Sequence, residues 1–425
     1  MSTKWRISDG IVRGSARRTD ASRARDTRGR KHGPFRTLRR MLFRMPRGPL
    51  IPSLRRFRPP FCPHPDCPWH TATDRTGWRV QRRGCRPVQR SSKPVQRFRC
   101  ATCGTWFCDA AFTTDYWRKI AGLLPRVYPV IADGPALRQA GRMLRLSVTT
   151  LRRVERRLAQ QALLQHLADE RALTGRLTEP LVLDGQRSFT GSRYEPAETY
   201  GVFTAEAGFC LELRSFGLRR SGSMSTRQEE IRAEREERLG RPDPLARRRI
   251  HAAALTRLAA LVPPGQTLEL RSDEETDFVP AIRALAATRP VRHVTVSSRA
   301  RRDTGNPLWL INHKHKLQRH CLASHRRQTR AAHKTLAGLQ DRQLLHRCWM
   351  NHTKGVSERT AAGRRTTPAM RLGIAARSRS GRSLFRDRRF PKRDGLPEDL
   401  RALYEGHVKA RPRERVRPTL HRIAY

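Results

Sequence analysis

The sequence predicts a multidomain α+β chain: a cysteine-bound ribbon, then a helix-turn-helix, then an α/β core built on a mixed five-stranded sheet with helices. Three observations predict it. Two separated cysteine pairs stand near the start of the ordered part. Next, a stretch with helical period is broken once by a short turn. Downstream, apolar runs follow the order three strands, helix, strand, helix, strand.

Composition sets the outer limits. At 425 residues the chain can bury the cores of two or three domains, and its formal charge is +52. Such an excess draws a protein to polyanions through counterion release, so nucleic acid is the leading expected partner and a membrane surface a distant second. Most of the 89 basic residues are Arg, a bias that a GC-rich genome produces without any binding function, so Arg over Lys carries no information. No run approaches the roughly eighteen consecutive apolar residues of a membrane span, and no secretory apolar region stands near the start. Nine cysteines, odd in number and mostly clustered without a secretion signal, favour a metal site in a reducing compartment over a disulfide framework.

Residues 1–58 are polar, rich in Gly, Pro and Arg and without sustained period, which reads as a disordered basic arm. Residues 59–114 hold the cysteines. "FCPHPDCPWH" supplies Cys62 and Cys67, and "RFRCATCGTWFC" supplies Cys100 and Cys103, with Cys85 and Cys108 as reserves. Two thiolate pairs on separate turns close a four-coordinate structural zinc site, and Gly104 follows Cys103 where such a turn needs positive φ. The predicted unit is a zinc ribbon, with Zn²⁺ as a structural metal.

Residues 115–170 read as helical, and "ALRQAGRMLRLSVTTLRRVERRLAQQ" fits a helix-turn-helix. Ala140 and Gly141 are small where two helices approach, Leu144 and Leu146 flank the turn, and Ser147 can cap the second helix. The turn commonly carries Gly where this chain has Arg145. Leu151, Val154 and Leu158 form the buried stripe, which leaves Thr149, Thr150, Arg152, Arg153 and Arg156 facing outward as candidate DNA contacts.

The core is expected over 175–350. "EPLVLDGQRSF" is an apolar strand ending in Asp184, "TYGVFTAEAGFCLELRSF" a hairpin, "QTLELRSDEETDF" a strand ending in Asp273, "FVPAIRALAA" a short helix and "RHVTVSS" a fifth strand. This is the order of the ribonuclease H-like fold, in which the ends of the first and fourth strands lie side by side. Asp184 and Asp273 can then share Mg²⁺ or Mn²⁺, hard cations that take oxygen ligands, with Glu274 in reserve. Residues 351–425 read as a basic, irregular C-terminal extension.

This order of parts resembles the DDE transposases of bacterial insertion sequences in which a zinc ribbon and a helix-turn-helix precede a ribonuclease H-like core. The resemblance rests on "RFRCATCGTWF", the helix-turn-helix segment, "LVLDGQRSF", "LRRSGSMSTRQ", "LRSDEETDF", "NPLWLINHKHKLQRH" and "TTPAMRLGIA", and covers about Phe61 to Tyr425. It implies binding to the terminal inverted repeats of a mobile element, hydrolytic nicking and strand transfer into target DNA in a prokaryotic cytoplasm, on the nucleoid. Asp184 and Asp273 match the first two acids. The resemblance also implies multimers on paired DNA ends, although no residue pattern reports the interface.

The third acid is where the chain departs. The comparable positions, soon after Asn312, hold Lys314, His315 and Lys316, and Gln328 stands at another place where a carboxylate is expected. "LWLINHKHKLQRHCLASHRRQ" reads as the start of one long helix without an acid, and Asp341 would lie roughly 44 Å beyond Asn312 at about 1.5 Å per residue. His315 is the candidate at the third position, since neutral imidazole can ligate a transition metal. The alternative is a solvated, phosphate-facing surface of His313, Lys316, His320 and Arg327. A competing function is a decayed or domesticated DNA-binding protein that keeps only the ribbon and the helix-turn-helix. RNA binding is less supported, because aromatic residues make up 6% of the chain.

Overall fold

The computed structural model describes residues 57–87, 94–118, 120–326, 329–357 and 365–407. Met1–Pro49 separates as its own unit from Leu50–Tyr425. That unit lies outside the described residues, as do nearly all of the arm expected at 1–58, Arg327, Gln328 and the end of the chain from 408.

Three antiparallel strands come first, β1 (Val80–Arg86), β2 (Val95–Cys100) and β3 (Trp106–Cys108), in the order β1-β2-β3. In β2, Gln96, Phe98 and Cys100 turn inward while Arg97 and Arg99 stay in solvent, the period of two that a half-buried strand shows. Phe61, Phe98, Phe107 and Phe112 form a small core under this sheet, and Phe390 completes it from far along the chain. Phe390 packs edge to face on Phe61 at 5.1 Å between centroids. The C-terminal segment, expected to be irregular, is therefore packed in part: Leu384, Phe385, Leu400, Leu403 and Tyr404 also enter the main core. Its apolar residues are spread among arginines at no regular spacing, so no period announces them.

Helices α1 (Leu123–Ala132), α2 (Leu137–Leu144) and α3 (Val148–Leu173) follow. Arg145 closes α2 in the left-handed region at φ 54°, at the place where glycine is usual. Ser147 Oγ accepts from the Thr150 N–H at 3.2 Å and starts α3. Gly141 is required, since a Cβ there would meet the Leu146 carbonyl oxygen at 2.9 Å. The second half of α3, from Leu158 to Leu173, is almost wholly buried. One helix thus serves both the helical segment and the core.

The larger sheet has five strands, β4 (Leu181–Phe189), β5 (Pro196–Thr204), β6 (Cys210–Gly217), β7 (Leu268–Asp273) and β8 (Val291–Val296), in the order β6-β5-β4-β7-β8. The first three pair antiparallel, and β4-β7-β8 pair parallel. Alternate residues serve two cores: Val182, Phe203 and Leu213 face one, Leu181, Leu183, Tyr200 and Val202 the other. The first core is closed by α1, α3, α7 (Trp309–Cys321) and α8 (Leu336–His352). Onto the second pack α5 (Ala246–Ala259), α6 (Val279–Ala286) and the short α9 (Pro368–Arg371). Helix α4 (Thr226–Leu239) buries no residue, and α10 (Gly381–Leu384) and α11 (Glu398–Glu405) end the described chain.

Helix α8 covers the open edge of β6. The Asn351 amide accepts from Cys210 N–H at 2.8 Å and donates to its carbonyl at 2.9 Å, and the Gln340 amide does the same for Ser215 N–H (2.6 Å) and Leu213 C=O (2.9 Å). Eleven helical residues at about 1.5 Å each and five strand residues at about 3.3 Å each both span about 16 Å, so the two amides meet the edge in register. An edge strand that would otherwise recruit a further strand is closed by side chains.

The long helix expected from Leu308 stops at Cys321. Leu322 takes an extended conformation and is fully buried, which turns His325 inward to Gln343 of α8. Asp341 consequently sits on a separate helix, paired with Arg156. Among the described residues no helix is long and apolar enough to cross a membrane.

Candidate functional site

Cys62, Cys67, Cys100 and Cys103 converge, with their sulfurs all within 4.8 Å of one another. Cys62 and Cys103 sulfurs stand 3.6 Å apart and those of Cys67 and Cys100 3.9 Å. A tetrahedral zinc site with bonds of about 2.3 Å has edges of about 3.8 Å, so the donor set and its spacing fit Zn²⁺. Gly104 takes φ 70° behind Cys103. Burial opposes the Cys100 thiolate, but backbone N–H groups of Cys103 and Thr102 and the Trp78 indole outweigh it and bring the thiol down to about 7. Of the reserves, Cys85 is exposed beside Gln96 and Cys108 lies in β3 outside the cluster. Four sulfurs leave no open position, so a metal here holds structure.

Asp273 ends β7, but β4 runs on past Asp184 to Phe189 because its pairing with β5 continues, so the first acid stands inside its strand and does not end it. Val182 of β4 pairs with Arg271 of β7, and two residues further along each strand stand Asp184 and Asp273. Parallel neighbours bring the two side chains to one face. A cleft of about 470 Å³ opens there, lined by Asp184, Gly185, Glu198, Asp273, Glu274 and Glu275. Burial, then the charge of Asp184 and that of Glu274, push the Asp273 carboxyl above its usual range. A cation between them relieves that repulsion, and oxygen donors suit a hard divalent ion. Among the described residues no third carboxylate or imidazole joins them within the mutual 4.8 Å that the cysteines keep.

His315 reaches the same place from α7. Its Nδ1 lies 3.4 Å from Asp184 Oδ2, the residue is 6% exposed, and Nε2 is buried without a hydrogen-bond partner against Gly201. Lys314 points into the body of the protein, whereas His313, Lys316 and His320 are exposed on the outer face of α7.

Glu198 and Arg247 were not singled out in the sequence. Glu198, 2% exposed, approaches the cleft from the opposite face of the sheet. Arg247 of α5 bridges it to Glu275 and to Asp277, the last at 2.5 Å. Burial outweighs Arg247 and raises the Glu198 carboxyl to about 7, with Glu275 adding repulsion. A Cβ on Gly185 would meet Glu198 Oε1 at 2.7 Å, so the glycine after Asp184 makes room for this carboxylate. The available signal was a lone acid inside the apolar run "AETYGVFT".

Where α2 meets α3, Thr149, Arg152 and Arg153 are exposed on the first turns of α3, while Thr150 is half-buried at the cap. Arg156 turns inward instead: it pairs with Asp341 at 2.5 Å and donates to the Leu403 carbonyl at 2.9 Å. No protein-family model matches this chain, and no curated protein matches it.

Proposed function

We propose that the chain is a DNA-binding polynucleotidyl transferase of the DDE transposase type, with a zinc ribbon, a helix-turn-helix and a ribonuclease H-like core. The observation that carries this reading is the strand order β6-β5-β4-β7-β8, with Asp184 inside β4 and Asp273 at the end of the adjacent parallel β7 lining one cleft. The charge of the chain supports a nucleic-acid partner, and its carboxylates are drawn inward: Glu155, Asp169, Glu170 and Glu212 pair with interior Arg or His.

Asp184 and Asp273 would hold Mg²⁺ or Mn²⁺. A divalent ion there supplies an activated water or 3′-hydroxyl and a stabilised leaving oxygen for in-line displacement at phosphorus. His315 orients Asp184, and Arg187 and Arg319 line the cleft where a phosphodiester would enter. Thr149, Arg152 and Arg153 face the DNA.

A second reading, a DNA-binding protein that has lost catalysis and acts as a repressor, is favoured by the missing third acid. A nicking assay with Mn²⁺ on DNA bearing terminal inverted repeats separates the two. Nicking by the wild type that Asp184→Ala abolishes supports the transferase. Binding without nicking under any divalent metal sinks it, and activity gained by His315→Asp or Gln328→Glu identifies lost catalysis.

A further inference from the structure

Helix α7 has a second cavity behind it. On the side away from Asp184, a space of about 650 Å³ opens between α7 and the end of α8, lined by His313, Lys314, His320, Trp349, Lys354 and Asp133 among others. Lys314 is 8% exposed, and among the described residues no carboxylate or hydrogen-bond acceptor partners its ammonium. Of its titratable neighbours, Lys354 and Arg371 repel it, and the Cys210 thiol, which as a thiolate would attract it, is held protonated by its own burial.

The other buried cations show how unusual this is. Arg342 has Glu155 at 2.8 Å, Arg214 has Glu212 at 3.0 Å, Arg347 has Glu212 at 3.6 Å, and Arg388 lies over the rings of Phe390 and Tyr116. An ammonium taken out of water without a counter-charge costs several kcal/mol. Asp133, the one carboxylate among the lining residues, faces Cys321 and Lys354 rather than Lys314. The amine also lies against the β5-β6 turn, where Gly208 (φ 69°) leaves space: a Cβ would stand 3.3 Å from Nζ. The cavity therefore combines a positive floor, a second amine, two imidazoles at the rim and an aromatic wall, with room for a group larger than a simple ion.

We propose that this cavity binds a phosphate group, with Lys314 as its buried counter-charge and Lys354 as the second cation. The phosphate belongs either to a strand end or nucleotide or to free inorganic phosphate. The inference does not depend on metal chemistry at Asp184 and stands if that reading fails.

Thermal unfolding of the full chain in rising inorganic phosphate, a nucleoside 5′-monophosphate or a 5′-phosphorylated oligonucleotide, each against chloride at equal ionic strength, tests it. Lys314→Met keeps the stem and removes a buried charge, so it folds at least as well as the wild type. The expected result is a melting temperature that rises with at least one phosphate probe in the wild type and stays level in Lys314→Met, with Lys354→Met between. A larger rise with the nucleotide or oligonucleotide than with inorganic phosphate assigns the ligand to nucleic acid, and equal rises assign it to phosphate alone. No rise in the wild type, or the same rise in Lys314→Met, overturns the proposal.

Discussion

His251 of α5 sits between the rings of Tyr200 and Phe278, at 4.3 and 4.7 Å, and is fully buried. Burial, and then the charge of Arg247, lower its pKa to about 4, while the Asp277 carbonyl opposes them. A histidine depressed in the folded state contributes stability that is complete above about pH 6.5 and is lost as pH falls toward about 4. His251→Phe should therefore lose less stability than the wild type between pH 7 and pH 5, read from urea midpoints at the two values; an equal loss contradicts the assignment. Single residues of this kind were only partly legible. Asp184 and Asp273 could be named because each closes a strand-like run in the sequence, although β4 itself continues to Phe189. Glu198 could not, since its partner Arg247 lies 49 positions away and nothing local links them. Arg156 follows helical phase outward from the stripe of Leu151, Val154 and Leu158, yet the later helix α8 supplies Asp341 and draws it inward.

At the scale of elements, all five strands of the large sheet were legible, because apolar runs between turn residues survive any tertiary context. Helix ends were less so. The stop at Cys321 depends on Leu322 finding a buried place and His325 meeting Gln343, contacts that sequence period does not encode. The role of α8 was also hidden: its Gln340 and Asn351 look like ordinary polar positions until the edge of β6 is beside them. Asn351→Leu leaves the Cys210 N–H and carbonyl buried and unpaired, and should cost about 1–3 kcal/mol in chemical denaturation. Hydrogen exchange at Cys210 should quicken in that variant while exchange within β4 stays slow; unchanged exchange at Cys210 would show that the helix does not close the edge.

At the scale of the whole molecule, a cysteine-held unit and a large mixed sheet are joined by C-terminal residues. Arg393 lies over the Phe61 ring at 4.0 Å and reaches the His70 carbonyl, so the ribbon is anchored to a segment more than 300 residues away. A strong chelator that strips any metal from the four cysteines should abolish the near-ultraviolet signal of Trp69, Trp78 and Trp106 and leave the main thermal transition of the large sheet in place. Loss of both together would mean that the two parts fold as one. The central proposal concerns that sheet: that Asp184 and Asp273 would hold a divalent ion. Fe²⁺ with ascorbate and peroxide cuts the backbone where the ion is bound, so mapping the fragments tests the claim directly. Cuts are expected near residues 184 and 273, competed away by Mg²⁺ and absent from Asp184→Asn, apart from any Mg²⁺-insensitive cuts at the cysteines. Fragments that map elsewhere, or cuts at 184 and 273 that persist in Asp184→Asn, would contradict it.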